Sequence, residues 1–460
     1  MSTILVKNAA MLVTMDDERR ELPGGGLFVR DGVIEQVGPT HMLPNSADLM
    51  LDLDNHIVIP GLVNTHHHLY QGLTRVIPKC QDSTLFVWLQ TLYPIWAGLT
   101  SEGVYYSTLT GLAELLLSGC TSASDHLYIY PNDCRLDDEI EAAEKIGIRF
   151  HAMRGSMSIG ESKGGLPPDR VVEEEAEILK DSRRLIEQYH DPNRYAMMRV
   201  GLAPCSPFSV SQDLMRESSK LARSYGVRLH THLAENSEDI KYSLETFGMR
   251  PGEYAEDVGW IGDDVWHAHC CMLDNEEIGQ FARTQTGICH CPNSNMRTAA
   301  GIAPIRKFLD AGVPTGLGVD GAAANDAGHL LAEARQALLL QRVHGGPDAL
   351  KAREALEMAT RGGAKVLGRD DVGYLAPGMV ADFVAYDLDQ IGFIGTSADL
   401  TASLIFCHPV NVNYSVINGR VVIDQGELTT IDLPSVMNRH NEVSKELING
   451  TLQVRPWKRI

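Results

Sequence analysis

The stretch Pro60-Gly61-Leu62-Val63-Asn64-Thr65-His66-His67-His68 decides the fold of this chain. The apolar run from Ile57 to Val63 predicts a buried strand that leads directly into three consecutive histidines. Side chains two residues apart on an extended backbone point the same way, so we expect His66 and His68 to face one direction and His67 the other. Two imidazoles directed together at a strand end supply half of a transition-metal site. The alternative is a chance polar run in a loop, and the other ligands must come from elsewhere.

Length and composition narrow the class of protein. A chain of 460 residues predicts two domains, or one large barrel with an accessory domain. The net charge of -20 repels phosphate backbones, so no nucleic-acid partner is expected. The sequence contains no apolar run of about 18 residues, and we expect no membrane span. The 9 cysteines form no CxxC pair, which favours a cytoplasmic protein with reduced and mostly buried thiols.

The two ends of the chain differ in pattern from its middle. Both ends contain short alternating apolar runs with turn signals such as Asn418-Gly419, which predict strands. Between Ile57 and Asp320, roughly eight strands alternate with helices. The sequence therefore predicts an α/β protein with a (β/α)8 TIM barrel over 59–369. A small split β-sandwich domain, 1–58 plus 370–440, and a C-terminal tail or helix, 441–460, complete the predicted architecture.

Polar and metal-binding side chains follow the predicted barrel strands, where such barrels place their active sites. A divalent ion held by three or four ligands, with one position open, can activate water. The residues that supply this set are His66, His68, His232 and Asp320. Asp320 follows a run of glycines and small apolar residues, and a cation would offset the cost of burying its carboxylate. A helix N-cap is the alternative role for Asp320.

Two further strand-end residues fit proton transfer rather than metal binding. Glu235 lies three residues past His232 and is placed as a proton shuttle, with a solvated loop carboxylate as the alternative. His269 could hydrogen-bond a developing charge, with a buried structural histidine as the alternative. The remaining candidates are interpreted as structural or given no role: His67, His126, His230, His267, His290 and Cys205.

The ordered motifs resemble those of the amidohydrolase superfamily. These motifs are the Pro60–His68 stretch, His232-Leu233-Ala234-Glu235, Ala268-His269-Cys270 and Gly318-Val319-Asp320-Gly321-Ala322. The branch that they resemble contains cytosine, guanine, methylthioadenosine and chlorotriazine hydrolases. The resemblance implies one divalent ion, zinc or alternatively iron, on His66, His68, His232 and Asp320. It also implies proton transfer by Glu235, His269 and Asp320.

The segments Thr84–Trp96, Arg154–Ser158, Gly164–Pro168 and Leu202–Phe208 resemble 8-oxoguanine deaminases. This resemblance implies conversion of 8-oxoguanine and water to urate and ammonia. Isoxanthopterin or isocytosine deamination, or amino- or chlorohydrolysis of an s-triazine of hydroxyatrazine type, is the alternative. We expect a small nucleobase-like substrate and a homo-oligomer.

Three residues are candidate substrate contacts. Gln71 could bind an oxo or amide edge, Arg199 could bind a ring oxygen, and Trp88 could stack at the entrance. A surface salt bridge is the alternative for Arg199, and a core position is the alternative for Trp88.

Overall fold

The computed structural model describes residues 2–460 and contains a closed barrel of eight parallel strands beside two smaller sheets. The barrel strands, numbered first to eighth along the chain, are Leu62–Asn64, Cys120–Leu127, Arg149–Ser156, Met198–Pro204, Leu229–Leu233, Val265–His269, Gly287–His290 and Thr315–Leu317. The eighth strand pairs with the first, which closes the barrel. The predicted α/β barrel is therefore confirmed.

Helices follow the barrel strands and cover their outer faces. The α-helices are Leu85–Trp96, Ser101–Leu117, Leu136–Ile146, Glu175–Tyr189, Gln212–Tyr225, Ser237–Phe247, Pro251–Asp257, Asn275–Thr284, Pro292–Arg297, Ile305–Ala311, Leu330–Gly345, Ala352–Glu357, Gly363–Val366, Leu400–Phe406 and Leu433–Ile448. Side-chain caps start several of them. The hydroxyl of Ser211, for example, accepts a hydrogen bond of 3.0 Å from the backbone N–H of Leu214, a group in the first turn that has no partner within the helix.

The two smaller sheets form a β-sandwich from both ends of the chain. One sheet has the strand order Val33–Pro39, Gly25–Arg30, Thr3–Ala9 and Leu49–Asp52. The other has the order Glu427–Leu428, Arg420–Asp424, Tyr414–Ile417, Phe383–Asp387, His56–Pro60, Met11–Val13 and Glu21–Leu22. Buried side chains from both sheets, such as Val6, Val29, Val58 and Phe383, form one apolar cluster between them. The fold thus includes the predicted split sandwich.

The predicted continuous strand Ile57–Val63 is two strands in the structure. His56–Pro60 pairs with Phe383–Asp387 in the sandwich, whereas Leu62–Asn64 belongs to the barrel. The break falls at Gly61, where a Cβ atom would collide with the side chain of Thr121. Because only glycine permits this approach, the chain passes from sandwich to barrel within a single residue.

The C-terminal helix Leu433–Ile448 extends through residue 440, the predicted domain limit, and packs on the barrel. His440 and Ser444 bond to the carbonyl oxygens of Gly72 and Leu73, at 3.2 and 2.6 Å. Residues 449–460 follow without regular structure. Within residues 2–460, no helix is both long enough and apolar enough to cross a bilayer. All nine cysteines are free thiols and eight of them are buried, as predicted.

Candidate metal centre and active site

Three barrel strand ends bring the predicted metal ligands together. The Nε2 atoms of His66 and His68 lie 3.3 and 3.4 Å from Oδ1 of Asp320. The Nε2 atom of His232 lies 3.1 Å from that of His68. His67 points away, with its Nδ1 atom 3.8 Å from Oδ1 of Asp125. The structure therefore places all four predicted ligand side chains at one point and excludes His67 from it.

Hydrogen bonds to backbone carbonyls fix which nitrogen of two ligand histidines carries the proton. Nδ1 of His68 bonds to the carbonyl oxygen of His126 at 2.7 Å, and Nδ1 of His232 bonds to that of Cys205 at 2.5 Å. A carbonyl oxygen only accepts, so each Nδ1 atom must donate. Burial keeps both imidazoles neutral by lowering their pKa values. Each Nε2 atom therefore presents a lone pair to the other.

The proton on His66 is fixed through a second histidine. Nδ1 of His230 donates to the carbonyl oxygen of Trp266 at 3.0 Å, so Nε2 of neutral His230 accepts. This Nε2 atom lies 2.7 Å from Nδ1 of His66, which must therefore donate. The Nε2 atom of His66 is then a free lone pair, and it is buried without a hydrogen-bond partner. Such outer partners orient metal-bound histidines in other proteins.

Lone pairs and a carboxylate oxygen that face one another at 3.1 to 3.4 Å repel unless a cation lies among them. Four ligands at about 2.05 Å from a tetrahedral zinc ion are roughly 3.3 Å apart. The observed spacing therefore fits one small divalent ion held by three imidazoles and a carboxylate. A ring nitrogen of His126 also lies within 4.8 Å of the three histidine ligand atoms, although its Nε2 atom bonds to the carbonyl oxygen of Ala203.

The carboxylate of Asp320 is held on both oxygens. The hydroxyl of Ser294 donates to Oδ2 at 2.5 Å, and the backbone N–H of Gly321 donates to Oδ1 at 2.6 Å. Asp320 itself adopts a left-handed backbone with φ of 61°, which is costly for a residue with a side chain. Its contacts therefore fix an orientation that the backbone alone would disfavour.

Glu235 and His269 lie beside the metal ligands and face each other. Nε2 of His269 is 3.7 Å from Oε2 of Glu235 and 3.9 Å from Oδ2 of Asp320, while its Nδ1 atom bonds to Oδ1 of Asn295 at 2.8 Å. Burial raises the pKa of Glu235 to about 7. Burial alone would lower the pKa of His269, but the carboxylates of Glu235 and Asp320 outweigh this effect and raise it. Glu235 can therefore hold a proton near neutral pH.

A cavity opens onto these groups. Apolar and aromatic side chains form much of its wall, among them Leu85, Trp88, Leu89, Tyr93, Tyr128 and Phe208. The indole N–H of Trp88 donates to the carbonyl oxygen of Ala323 at 3.2 Å, which fixes the ring in the wall. Gln71 also lines the cavity, and its buried Oε1 atom has no hydrogen-bond partner. Cys205 and Ser206 complete one side.

Arg199 does not line this cavity, so its predicted contact with substrate is wrong. It is the second residue of the fourth barrel strand and lies at the opposite, N-terminal end of the barrel. Its guanidinium group donates to the carbonyl oxygen of Gly368 at 3.0 Å. Strand alternation predicts which face of the sheet a side chain occupies but not its position along the barrel axis. Arg199 lies too far from the C-terminal end of the barrel to contact a substrate in the cavity.

Sequence reasoning overlooked the groups that orient the ligands. His230 was interpreted as structural, yet it fixes the proton on His66. A signal was present, because His230 and His232 are two residues apart on one strand and must face the same side. Ser294 and the carbonyl oxygen of Cys205 gave no comparable signal, because their roles depend on contacts across the barrel.

Comparisons with known proteins agree with this arrangement. Residues 57–422 match the family model described as "Amidohydrolase family". The chain is 45% identical to an 8-oxoguanine deaminase of Pseudomonas aeruginosa, over 93% of this chain and 95% of that protein. It is 36% identical to a hydroxydechloroatrazine ethylaminohydrolase of Pseudomonas sp. strain ADP, over 100% of this chain and 98% of that protein.

A solved structure shows the same fold. The chain superimposes with a TM-score of 0.92 on an atrazine chlorohydrolase from Arthrobacter aurescens TC1 complexed with zinc, at 35% identity over 97% of this chain and 100% of that one. Family match, fold and clustered ligand set lead to one conclusion. The chain belongs to the amidohydrolase family and is a hydrolase that acts on carbon–nitrogen bonds.

Proposed function

We propose that this protein is a zinc-dependent deaminase that converts 8-oxoguanine and water to urate and ammonia. The observation that carries the proposal is the meeting of His66, His68, His232 and Asp320, with Glu235 alongside, at the base of a largely aromatic cavity. The 45% identity to an 8-oxoguanine deaminase supports the choice of substrate. Zinc is chosen because three imidazoles and one carboxylate suit it, and iron is the alternative metal.

The proposed chemistry is hydrolysis at the ring carbon that carries the amino group. When bound to the four ligands, zinc would supply Lewis-acid activation of water. Glu235 protonates the ring nitrogen beside that carbon, for which a pKa of about 7 is well suited. Asp320 accepts a proton from the attacking water, and His269 stabilises the oxygen that adds to the ring. Asp320 then passes that proton to the amino group, which leaves as ammonia, and the hydroxyl group now on the ring carbon returns a proton to Glu235 as its C=O bond forms.

The cavity wall suits an uncharged planar heterocycle. In the part of the chain that the structure describes, no lysine or arginine lines the cavity. A nucleotide phosphate would lack the cationic partner that phosphates need, which disfavours a nucleotide as substrate. The unpartnered Oε1 atom of Gln71 would accept a hydrogen bond from a ring N–H, and Trp88 would contact the ring by its fixed indole. The substrate is therefore expected to be a small nucleobase.

A substrate panel tests the proposal. Zinc-loaded protein is assayed with 8-oxoguanine, guanine, isocytosine, isoxanthopterin and hydroxyatrazine, with detection of released ammonia. The proposal requires the highest kcat/KM for 8-oxoguanine, with urate and ammonia formed in equal amounts. Faster deamination of isoxanthopterin or isocytosine, or release of an alkylamine from hydroxyatrazine, would establish an alternative. Sedimentation of the same sample tests the expected homo-oligomer.

A further inference from the structure

A buried glutamate outside the substrate cavity links two of the loops that build the site. Glu333 lies in the first turn of the helix Leu330–Gly345 and is 1% exposed. Its Oε1 atom accepts bonds from the side-chain amides of Asn293, at 2.6 Å, and Asn325, at 2.5 Å. Its Oε2 atom accepts the backbone N–H of Asn293 at 3.3 Å. One carboxyl group therefore joins the segment after the seventh barrel strand to the segment after the eighth.

These two segments carry groups that fix the site. Asn293 is followed by Ser294, which donates to Asp320, and by Asn295, which accepts from Nδ1 of His269. Asn325 lies five residues after Asp320 and also donates to the carbonyl oxygen of Val319 at 2.6 Å. The hydrogen bonds to Glu333 thus fix the relative position of the two segments that orient Asp320 and His269.

The site requires such support because its backbone is strained. His269 and Asp320 have φ values of 70° and 61°, in the left-handed region that favours glycine. Strained residues keep their conformation only where surrounding contacts determine it. Ser294 supplies one such contact for Asp320, and Ser294 is itself positioned by the helix Pro292–Arg297 that Asn293 anchors.

We propose that Glu333 is a positioning residue of the active site, which acts through Asn293 and Asn325 on the geometry of Asp320 and His269 without contacting substrate. The role rests on the proposed metal-dependent hydrolysis but not on the identity of the substrate. The acting atom is Oε1, because it alone receives both asparagine amides.

Two substitutions separate hydrogen bonding from packing. Glu333→Gln keeps an oxygen that can accept both side-chain amides and loses only the long bond of 3.3 Å from the backbone N–H of Asn293, whereas Glu333→Leu fills a similar volume and accepts nothing. We expect the leucine variant to lower kcat at least about tenfold, with KM changed less than about threefold, because substrate does not touch Glu333. The glutamine variant should retain kcat within about threefold of the unaltered protein.

The metal alone provides a readout that does not depend on substrate. Cobalt(II) is loaded in place of zinc, and its visible spectrum and its rate of removal by a chelator are recorded. The leucine variant should release cobalt at least about tenfold faster and show an altered spectrum, whereas the glutamine variant should match the unaltered protein. If no base in the substrate panel is deaminated, the proposed function fails, but these cobalt measurements still test Glu333.

A matched control uses Glu277, another buried glutamate in the first turn of a helix, which bonds to Gly252 and Arg250 away from the cavity. Glu277→Leu should lower the melting temperature without changing the cobalt spectrum. If Glu333→Leu fails to fold, Asn293→Ala removes the same bond from the partner side and should accelerate cobalt release. Unchanged cobalt release and kcat in the leucine variant, or equal impairment of leucine and glutamine variants, would overturn the proposal.

Discussion

The Nε2 atoms of His68 and His232 lie 3.1 Å apart, although neither atom can carry the proton that a hydrogen bond between them would need. Their protons are on the opposite nitrogens, bonded to the carbonyl oxygens of His126 and Cys205. The chain therefore holds two lone pairs face to face in a buried site, a costly arrangement without a cation. The arrangement is therefore that of a site that holds a cation.

Removal of the metal should destabilise the protein. Chelation leaves the facing lone pairs and the carboxylate of Asp320 without a counter-charge, so we expect the melting temperature to fall by roughly 5 °C or more. Activity should disappear and return with one equivalent of zinc. Calorimetry with elemental analysis provides the measurement. A metal-free sample with unchanged melting temperature and turnover would contradict the site.

Glu235→Gln should keep the metal but lose turnover. Glutamine has nearly the same shape but cannot donate the proton, and loss of a general acid typically costs about 10²- to 10⁴-fold in kcat. Metal content is measured in parallel with ammonia release. The exposed neighbour Glu238 provides the control, since Glu238→Gln should have no effect. Equal turnover in the two variants would remove Glu235 from the mechanism.

The pH profile should report the raised pKa of Glu235. A carboxyl group with a pKa of about 7 is protonated below pH 7, so kcat/KM should fall as the pH rises through that value. Asp239 accepts the backbone N–H of Glu235 at 2.8 Å, and its charge contributes to the raised pKa. Asp239→Asn should therefore shift the basic limb to lower pH. A shift to higher pH, or none, would contradict the assignment of this limb to Glu235.

Gln71→Ala and Arg199→Met form a pair that tests the extent of the substrate site. Gln71 lines the cavity and its side-chain oxygen has no hydrogen-bond partner, so its loss should raise KM for 8-oxoguanine about tenfold, the cost of one hydrogen bond. Arg199 lies at the other end of the barrel, and its replacement should leave KM unchanged. Steady-state kinetics measure both. A raised KM in the Arg199 variant alone would reverse this placement of the substrate.

His230→Phe should weaken metal binding although His230 is not a ligand. The substitution removes the acceptor that fixes the proton of His66, and loss of such outer partners typically costs about 10- to 100-fold in metal affinity. Competition with a chromogenic chelator provides the measurement. His267→Phe is the control, because His267 bonds to the carbonyl oxygen of Trp260 rather than to a ligand. Equal affinities in the two variants would exclude the proposed orienting role.

The sequence by itself determined the barrel and the set of residues that converge in it. Apolar runs that alternate with helical segments predict parallel strands, and polar residues at the ends of those strands meet at one rim, as His66, His68, His232 and Asp320 do. The two-residue spacing of His66 and His68 was enough to predict that His67 points the other way. These features are local, because strand alternation and turn chemistry are encoded within a few residues.

Only the tertiary structure decided how far along the barrel axis a side chain lies, how the metal ligands are oriented and which residues hold them in place. The depth of Arg199 follows from the register between barrel strands, and the break at Gly61 follows from the approach of Thr121. The lone pairs of the histidines depend on carbonyl groups far away in sequence, and the bond between the loops at Glu333 depends on the packing of a helix. Contacts of this kind are set by how whole elements pack, and no local pattern of residue types encodes that packing.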